Sequence, residues 1–201
     1  MRLLIAVMML LAQASGPKTV ADARRLFEAG KYRETLDALS SAPAEGSDSG
    51  PALFLTGQTR QKLNDNGGAQ QAYMRLATRA EADPWRSIGQ SALASMDKRY
   101  DEALTAAKQG AMLASGSADA YFQLGIALAQ KTDYAAAAQA FDKATQLDNS
   151  YAYGFYWSGL SYNRIKRIDL MAARFETFLR LAPNAPERGE VQSIMRTVRG
   201  R

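Results

Sequence analysis

Residues 118–151 read ADAYFQLGIALAQKTDYAAAAQAFDKATQLDNSY, and the spacing of their apolar side chains decides the fold. Tyr121, Leu124, Gly125 and Leu128 fall three and four residues apart, so they share one face of a helix. Lys131-Thr132-Asp133 makes a tight turn, and Tyr134, Ala137, Phe141, Ala144 and Leu147 then form a second stripe. Two such stripes joined by a short turn pack as an antiparallel helix pair. Glycine is a poor helix former, so Gly125 marks a place where a larger side chain would push the paired helices apart.

The same pattern recurs in both directions at a constant step of 34 residues. Gly125 and Gly159 are one step apart, as are Phe141 and Phe175, and Leu147 and Leu181. Backwards, Tyr134 maps to Tyr100, Ala137 to Ala103, and Ala103 to Ala69. One register divides the chain into 16–49, 50–83, 84–117, 118–151 and 152–185. A fixed period of this length signals a repeat architecture, in which each unit buries its apolar face against the next.

Tyr121, Leu124, Gly125, Leu128, Ala137, Phe141 and Ala144 resemble the tetratricopeptide repeat, a 34-residue unit of two helices. The following unit keeps Phe155, Gly159, Tyr162, Phe175 and Pro183. Unit 50–83 keeps Leu53, Gly57, Ala69 and Tyr73, whereas 84–117 keeps chiefly Tyr100 and Ala103, and 16–49 is the most degenerate. The resemblance implies an all-α, right-handed α-solenoid of helix-turn-helix repeats across 15–185. Segment 186–201 follows, where Val191, Ile194, Met195 and Val198 form the stripe of a C-terminal capping helix ahead of a basic tail. The Ser-, Gly- and Pro-rich stretch 40–51 reads as a loop between the first two units.

The beginning of the chain has a different character. Residues 1–14 carry Arg2, an apolar run from Leu3 to Leu11, and Ala12-Gln13-Ala14, the layout of a secretory signal cleaved after Ala14. The run is far short of the ~20 apolar residues of a membrane span. Export follows as an expectation, to the periplasm if the host is a double-membraned bacterium.

Composition narrows the chemistry. The 201 residues include neither Cys nor His, which excludes disulfides, thiolate nucleophiles, zinc fingers and Ser-His-Asp triads. No Walker lysine follows Gly67-Gly68, no carboxylate pair recurs on an inward face, and the carboxylates lack calcium-loop spacing. The expected function is therefore non-catalytic, with no cofactor and no metal. Residues 152–201 carry nine Lys or Arg against four Asp or Glu, whereas 15–151 carry 15 against 16. With no dense basic cluster or groove-reading motif this bias reads as a solvated helical surface, and no nucleic acid is expected.

In the family the concave face of the first helices touches ligand. Carried onto this sequence, those places include Phe54, Gln58, Trp85, Ile88, Met96, Phe122, Ile126, Tyr153, Tyr156, Leu160 and Arg164. Phe54, Gln58, Ile88 and Phe122 replace the Lys, Asn and Arg with which some family members clamp a peptide carboxylate. An apolar, aromatic groove implies a protein partner that presents an apolar peptide or amphipathic helix during envelope assembly, secretion or complex formation. Trp85→Ala or Tyr156→Ala is expected on this reading to weaken partner capture without loss of helicity. The alternative is a membrane-surface adaptor held by its N-terminal segment or basic last quarter. The residues leave open whether the groove meets a partner, a second copy or the chain's own terminal helix.

Overall fold

The computed structural model describes residues 19–41 and 44–199. The expected leader and its cleavage point lie outside the described residues. Among the described residues there is no strand, and the helices are α1 (Val20–Glu28), α2 (Tyr32–Ser40), a single turn α3 (Ala44–Ser47), α4 (Gly50–Lys62), α5 (Asn66–Ala77), α6 (Pro84–Met96), α7 (Tyr100–Leu113), α8 (Ala118–Gln130), α9 (Tyr134–Leu147), α10 (Ala152–Arg164), α11 (Ile168–Leu181) and α12 (Arg188–Arg199). Among the described residues no helix is long and apolar enough to cross a membrane.

The chain is an all-α solenoid of stacked helix pairs, and its period is visible in the backbone. The second helices begin at Tyr32, Asn66, Tyr100, Tyr134 and Ile168, each 34 residues after the last. The turn between the two helices of each pair contains one left-handed residue, successively Gly30, Asn64, Lys98, Thr132 and Lys166, again in steps of 34. In every turn the next N–H reaches back five residues, as Lys31 does to the Leu26 carbonyl and Asp133 to that of Leu128. This satisfies carbonyls that the helix end leaves open. A β-branched residue such as Thr132 adopts a positive φ at a cost, so packing on both sides of the turn imposes it.

Start signals are local. Ser49, Asp83 and Ser117 each turn a side-chain oxygen onto a backbone N–H of the first turn of α4, α6 and α8, and Thr19 makes a capping box with Asp22 at α1. The stretch read as a loop, 40–51, differs from that expectation. Among its described residues, 44–47 form the short α3 and 50–51 begin α4, where the Ser49 cap and Pro51 in the first turn start a helix that composition alone does not suggest.

Within each pair a ring fills the space that a glycine leaves. A Cβ at Gly57, Gly125 or Gly159 would fall 2.2, 2.5 or 2.5 Å from the rings of Tyr73, Phe141 and Phe175. Unit 84–117 closes the same contact with two small side chains. Ser91 stands in the glycine place and Ala107 in the ring place, and the Ser91 hydroxyl donates to the Ala103 carbonyl at 2.8 Å. Ala94, Ala103, Ala107 and Ala127 accordingly form a small cluster beside the main core, which runs from Ala23 in α1 to Met195 in α12. Helix α12 covers the flank of the last pair with Val191 and Met195.

Candidate binding groove

The first helices α4, α6, α8 and α10 supply the groove positions, and their neighbours decide which of these stay accessible. Phe54 is buried between the rings of Tyr73 and Trp85, with centroids at 6.1 and 6.2 Å, and the indole of Trp85 lies over Gly50. Ile88 is fully buried against Gly110, and Met96 is half-buried beside the core. Tyr153 and Tyr156 are buried as well. Their hydroxyls donate to Glu187 at 2.7 Å and Glu190 at 2.9 Å, and Lys62 Nζ reaches the other oxygen of Glu187 at 2.6 Å. Burial pushes the Glu187 carboxyl up, but the bonds from Lys62 and Tyr153 outweigh it and hold the group below the ordinary range.

Helix α1 crosses the groove. Arg24 Nη2 donates to both oxygens of Asp119, at 2.9 and 3.1 Å, across 95 residues of chain. Its guanidinium lies 4.4 Å from the ring centroid of Tyr151, whose hydroxyl donates to Asp119 Oδ1 at 2.9 Å. Phe27 packs on Tyr153 at 5.2 Å. Glu28 accepts the N–H of Ala152, the first residue of α10, at 3.1 Å. A Cβ on Gly30 would stand 2.8 Å from Pro186. The first unit therefore closes onto the fourth and fifth, and the solenoid curves into a ring. No local pattern reveals this closure. The signal in the sequence is two opposite charges, Arg24 and Glu28, one turn apart beside the apolar Ala23 and Phe27.

The Glu28 carboxyl carries the chief electrostatic cost of closure. Burial pushes it up to about 7, and the nearby Arg24 cation, the Ala152 N–H and the more distant Arg25 offset this only in part, while Asp148 adds to it. A group raised above its ordinary value stabilises the fold fully below about pH 4.5, and that contribution is lost as the pH rises through about 7. Between pH 5 and pH 8 the wild type is therefore expected to lose roughly 2–4 kcal/mol relative to Glu28→Gln, whose amide oxygen still accepts the Ala152 N–H. Urea unfolding of both proteins across this range checks it. A constant difference would show that Glu28 is not held neutral.

Inside the ring lies a cavity of about 580 Å³, within the range that ligand pockets occupy. It is lined by Gln58, Gln61 and Lys62 from α4, Phe122, Ile126 and Gln130 from α8, and Tyr153, Trp157, Leu160 and Arg164 from α10. Of the groove positions expected from sequence, Gln58, Phe122, Ile126, Tyr153, Leu160 and Arg164 meet here. Phe54, Trp85, Ile88, Met96 and Tyr156 do not line it. Sequence reasoning did not single out Trp157, which lines the cavity and stacks on Phe141 at 6.3 Å. The Gln130 side-chain oxygen is buried with no donor, and Arg164 lies over the Tyr134 ring at 5.7 Å with no carboxylate partner among the described residues. The cavity thus offers apolar and aromatic walls, amides, the Glu190 carboxyl and two cations, of which Lys62 is paired with Glu187. Among the described residues no group of His, Cys, Asp or Glu converges to hold a metal ion.

Residues 118–151 match the family model described as tetratricopeptide repeat. None of the curated proteins matches the chain. Among solved structures, a thermophilic TPR protein of Thermus thermophilus superposes with a TM-score of 0.62 at 19% identity, over 87% of this chain and 95% of that one. The TPR2AB domain of yeast Sti1, in a complex with pHSP90, gives 0.53 at 12% identity over 88% and 82%. YrrB, a TPR protein with an unusual peptide-binding site, gives 0.50 at 17% identity over 82% and 85%. These likenesses establish the fold, an α-solenoid of tetratricopeptide type.

Proposed function

We propose that this chain is an exported, non-catalytic scaffold for protein–protein interaction, which holds an apolar segment of a partner protein in the cavity of the ring. The observation that carries the reading is the cavity itself, where Ile126, Trp157 and Leu160 are only half-buried and the Gln130 oxygen is left without a donor. The fold supports the same reading, since the Sti1 domain is in complex with pHSP90 and YrrB has a peptide-binding site. Export rests on the sequence of residues 1–14, and the host compartment follows as periplasm in a double-membraned bacterium.

Tyr156 is buried and hydrogen-bonded to Glu190, so its removal tests the fold as much as the groove. A better probe is Leu160→Trp, which fills cavity space from a half-buried position. Partner recovery by affinity capture from the native host, read by quantitative mass spectrometry, is expected to fall at least fivefold while the circular dichroism melt is unchanged. Undiminished recovery of the same partner would remove the cavity from the mechanism. Fractionation with intact-mass measurement tests export, for which the expected result is a soluble species lacking residues 1–14.

A further inference from the structure

The face of α8 and α10 under α1 is built like a recognition site. Asp119 is buried and accepts two bonds from Arg24 and one from Tyr151. The Tyr151 ring supports the guanidinium from one side and stacks on Phe122 at 5.0 Å. One turn along α1, Phe27 fits against Tyr153. A bidentate carboxylate, a ring beneath the cation and an aromatic seat one turn away together read an arginine and an aromatic at positions i and i+3 of a helix.

What sits on this site is weakly held by its own neighbours. Helix α1 has nine residues, and α2 has nine with no side-chain cap at its start. Helices this short are marginal without tertiary contacts. The first unit also lacks the ring that locks the later pairs. Its glycine and ring places, one step back from Gly57 and Tyr73, are Ala23 and Leu39. Seating α1 further buries Glu28, whose bonded partner is a single backbone N–H rather than a cation. A helix with the same arginine and aromatic but no acid beside them gains the same contacts without that cost. From α4 onwards the pairs α4/α5, α8/α9 and α10/α11 have their own glycine–ring contacts, and α6/α7 has the Ser91–Ala103 hydrogen bond instead, so the remaining solenoid does not depend on α1.

We propose that the Asp119–Tyr151–Tyr153 face is a docking site for a partner helix bearing an arginine and an aromatic one turn apart, and that α1 occupies it in cis until such a helix displaces it. This deepens the scaffold reading by giving the partner's chemistry. The face shares Phe122, Tyr151 and Tyr153 with the wall of the cavity, which Phe27 of α1 also lines, so its test uses the α1 sequence itself as the probe and reads binding to this face without the partner that the cavity holds.

The probe is a fluorescein-labelled synthetic peptide of residues 19–31, titrated by anisotropy against the full-length chain. The cis helix competes with it at high effective concentration, so the wild type binds it weakly. The double variant Arg24→Ala with Phe27→Ala is expected to bind at least tenfold more tightly, and a peptide with alanine in place of the arginine is expected to lose that gain. A double variant that keeps its helicity but binds no better than wild type overturns the proposal.

A second pair of measurements covers a variant that fails to fold. The chain has no cysteine, so in Gly30→Cys with Pro186→Cys, where the Gly30 backbone meets the Pro186 ring, only one intramolecular disulfide can form; a side chain at the left-handed position 30 carries backbone strain, for which the reduced form of the same variant is the control. The oxidised form is expected to bind the peptide at least tenfold more weakly than the reduced form, and equal affinities overturn the proposal. Light scattering covers the remaining occupant. A wild-type mass of two chains that falls to one in the Arg24→Ala, Phe27→Ala variant would mean that α1 is exchanged between copies, which also overturns it.

Discussion

Phe141→Ala is expected to destabilise the chain by about 3–5 kcal/mol, the usual cost of removing a buried aromatic. The ring is fully buried, faces Gly125 in its own pair, meets Phe122 at 5.6 Å and stacks on Trp157 of the next unit at 6.3 Å. It therefore joins α8, α9 and α10, and its loss removes packing both within a unit and between units. Because a solenoid is held by nearest-neighbour interfaces, the unfolding transition should also broaden as the two sides uncouple. Over a chain of this size the melting temperature should fall by roughly 6–20 °C. Urea unfolding followed by circular dichroism measures it. A loss under about 1 kcal/mol would mean that the glycine–ring contact is not what holds the pairs together.

The second large effect is expected from Asp119→Ala. Removing the carboxylate leaves the largely buried Arg24 with no bonded anion, Glu28 one turn away being the nearest acid on its own helix, and a broken buried pair of this kind costs about 3–5 kcal/mol if nothing moves. Burial alone would push the Arg24 guanidinium down, whereas Asp119 and Tyr151 reverse this and raise it. Here the chain has a cheaper response, which is to release α1. Amides of residues 20–28 are expected to exchange at least tenfold faster in hydrogen-exchange mass spectrometry, with those of α9 and α11 unchanged. Unchanged protection of α1 would show that the ion pair does not hold it. Faster exchange throughout would show that ring closure stabilises the whole array.

The contrast between Asp119 and the half-buried Asp142 shows why the effect should stay local. Asp142 accepts bonds from Arg174, Ser158 and Tyr162, and all of these partners lie on α10 and α11. Burial pushes its carboxyl up, but these bonds outweigh burial and hold it below the ordinary range. It joins adjacent units, as a solenoid interface does. Asp119 instead joins α8 to α1 across the groove, an interface that stacking alone does not require.

Much of the fold was legible because the repeat is written in residue types with strong local meaning. Gly57, Gly125 and Gly159 with Tyr73, Phe141 and Phe175 announce the close helix pair. The left-handed turns were legible at most at Gly30 and Asn64, the two residue types that such a backbone favours, and not at the other three. Lys98, Thr132 and Lys166 take that conformation because the helices on either side leave the turn no other path. Unit 84–117 looked weak in sequence for a reason that the structure makes plain. Ser91 and Ala107 put two small side chains where the other units place a glycine and a ring, and the Ser91 hydroxyl bonds the Ala103 carbonyl, so the pattern fails while the packing survives.

The groove divides along the same line. Periodicity assigns Phe54, Ile88, Tyr153 and Tyr156 to the faces of their helices, but it does not say what stands opposite. That depends on how far the array curves, which accumulates from small rotations between units and on which no single residue reports. The sequence by itself determined helix pairs, their period and the capping stripe at Val191 and Met195, because these follow from side-chain spacing along one helix. Only the tertiary structure decided that the array closes into a ring, that α1 lies across its own groove and that Arg24 finds Asp119. Those contacts join residues far apart in the chain, and local spacing carries no information about curvature summed over the whole array.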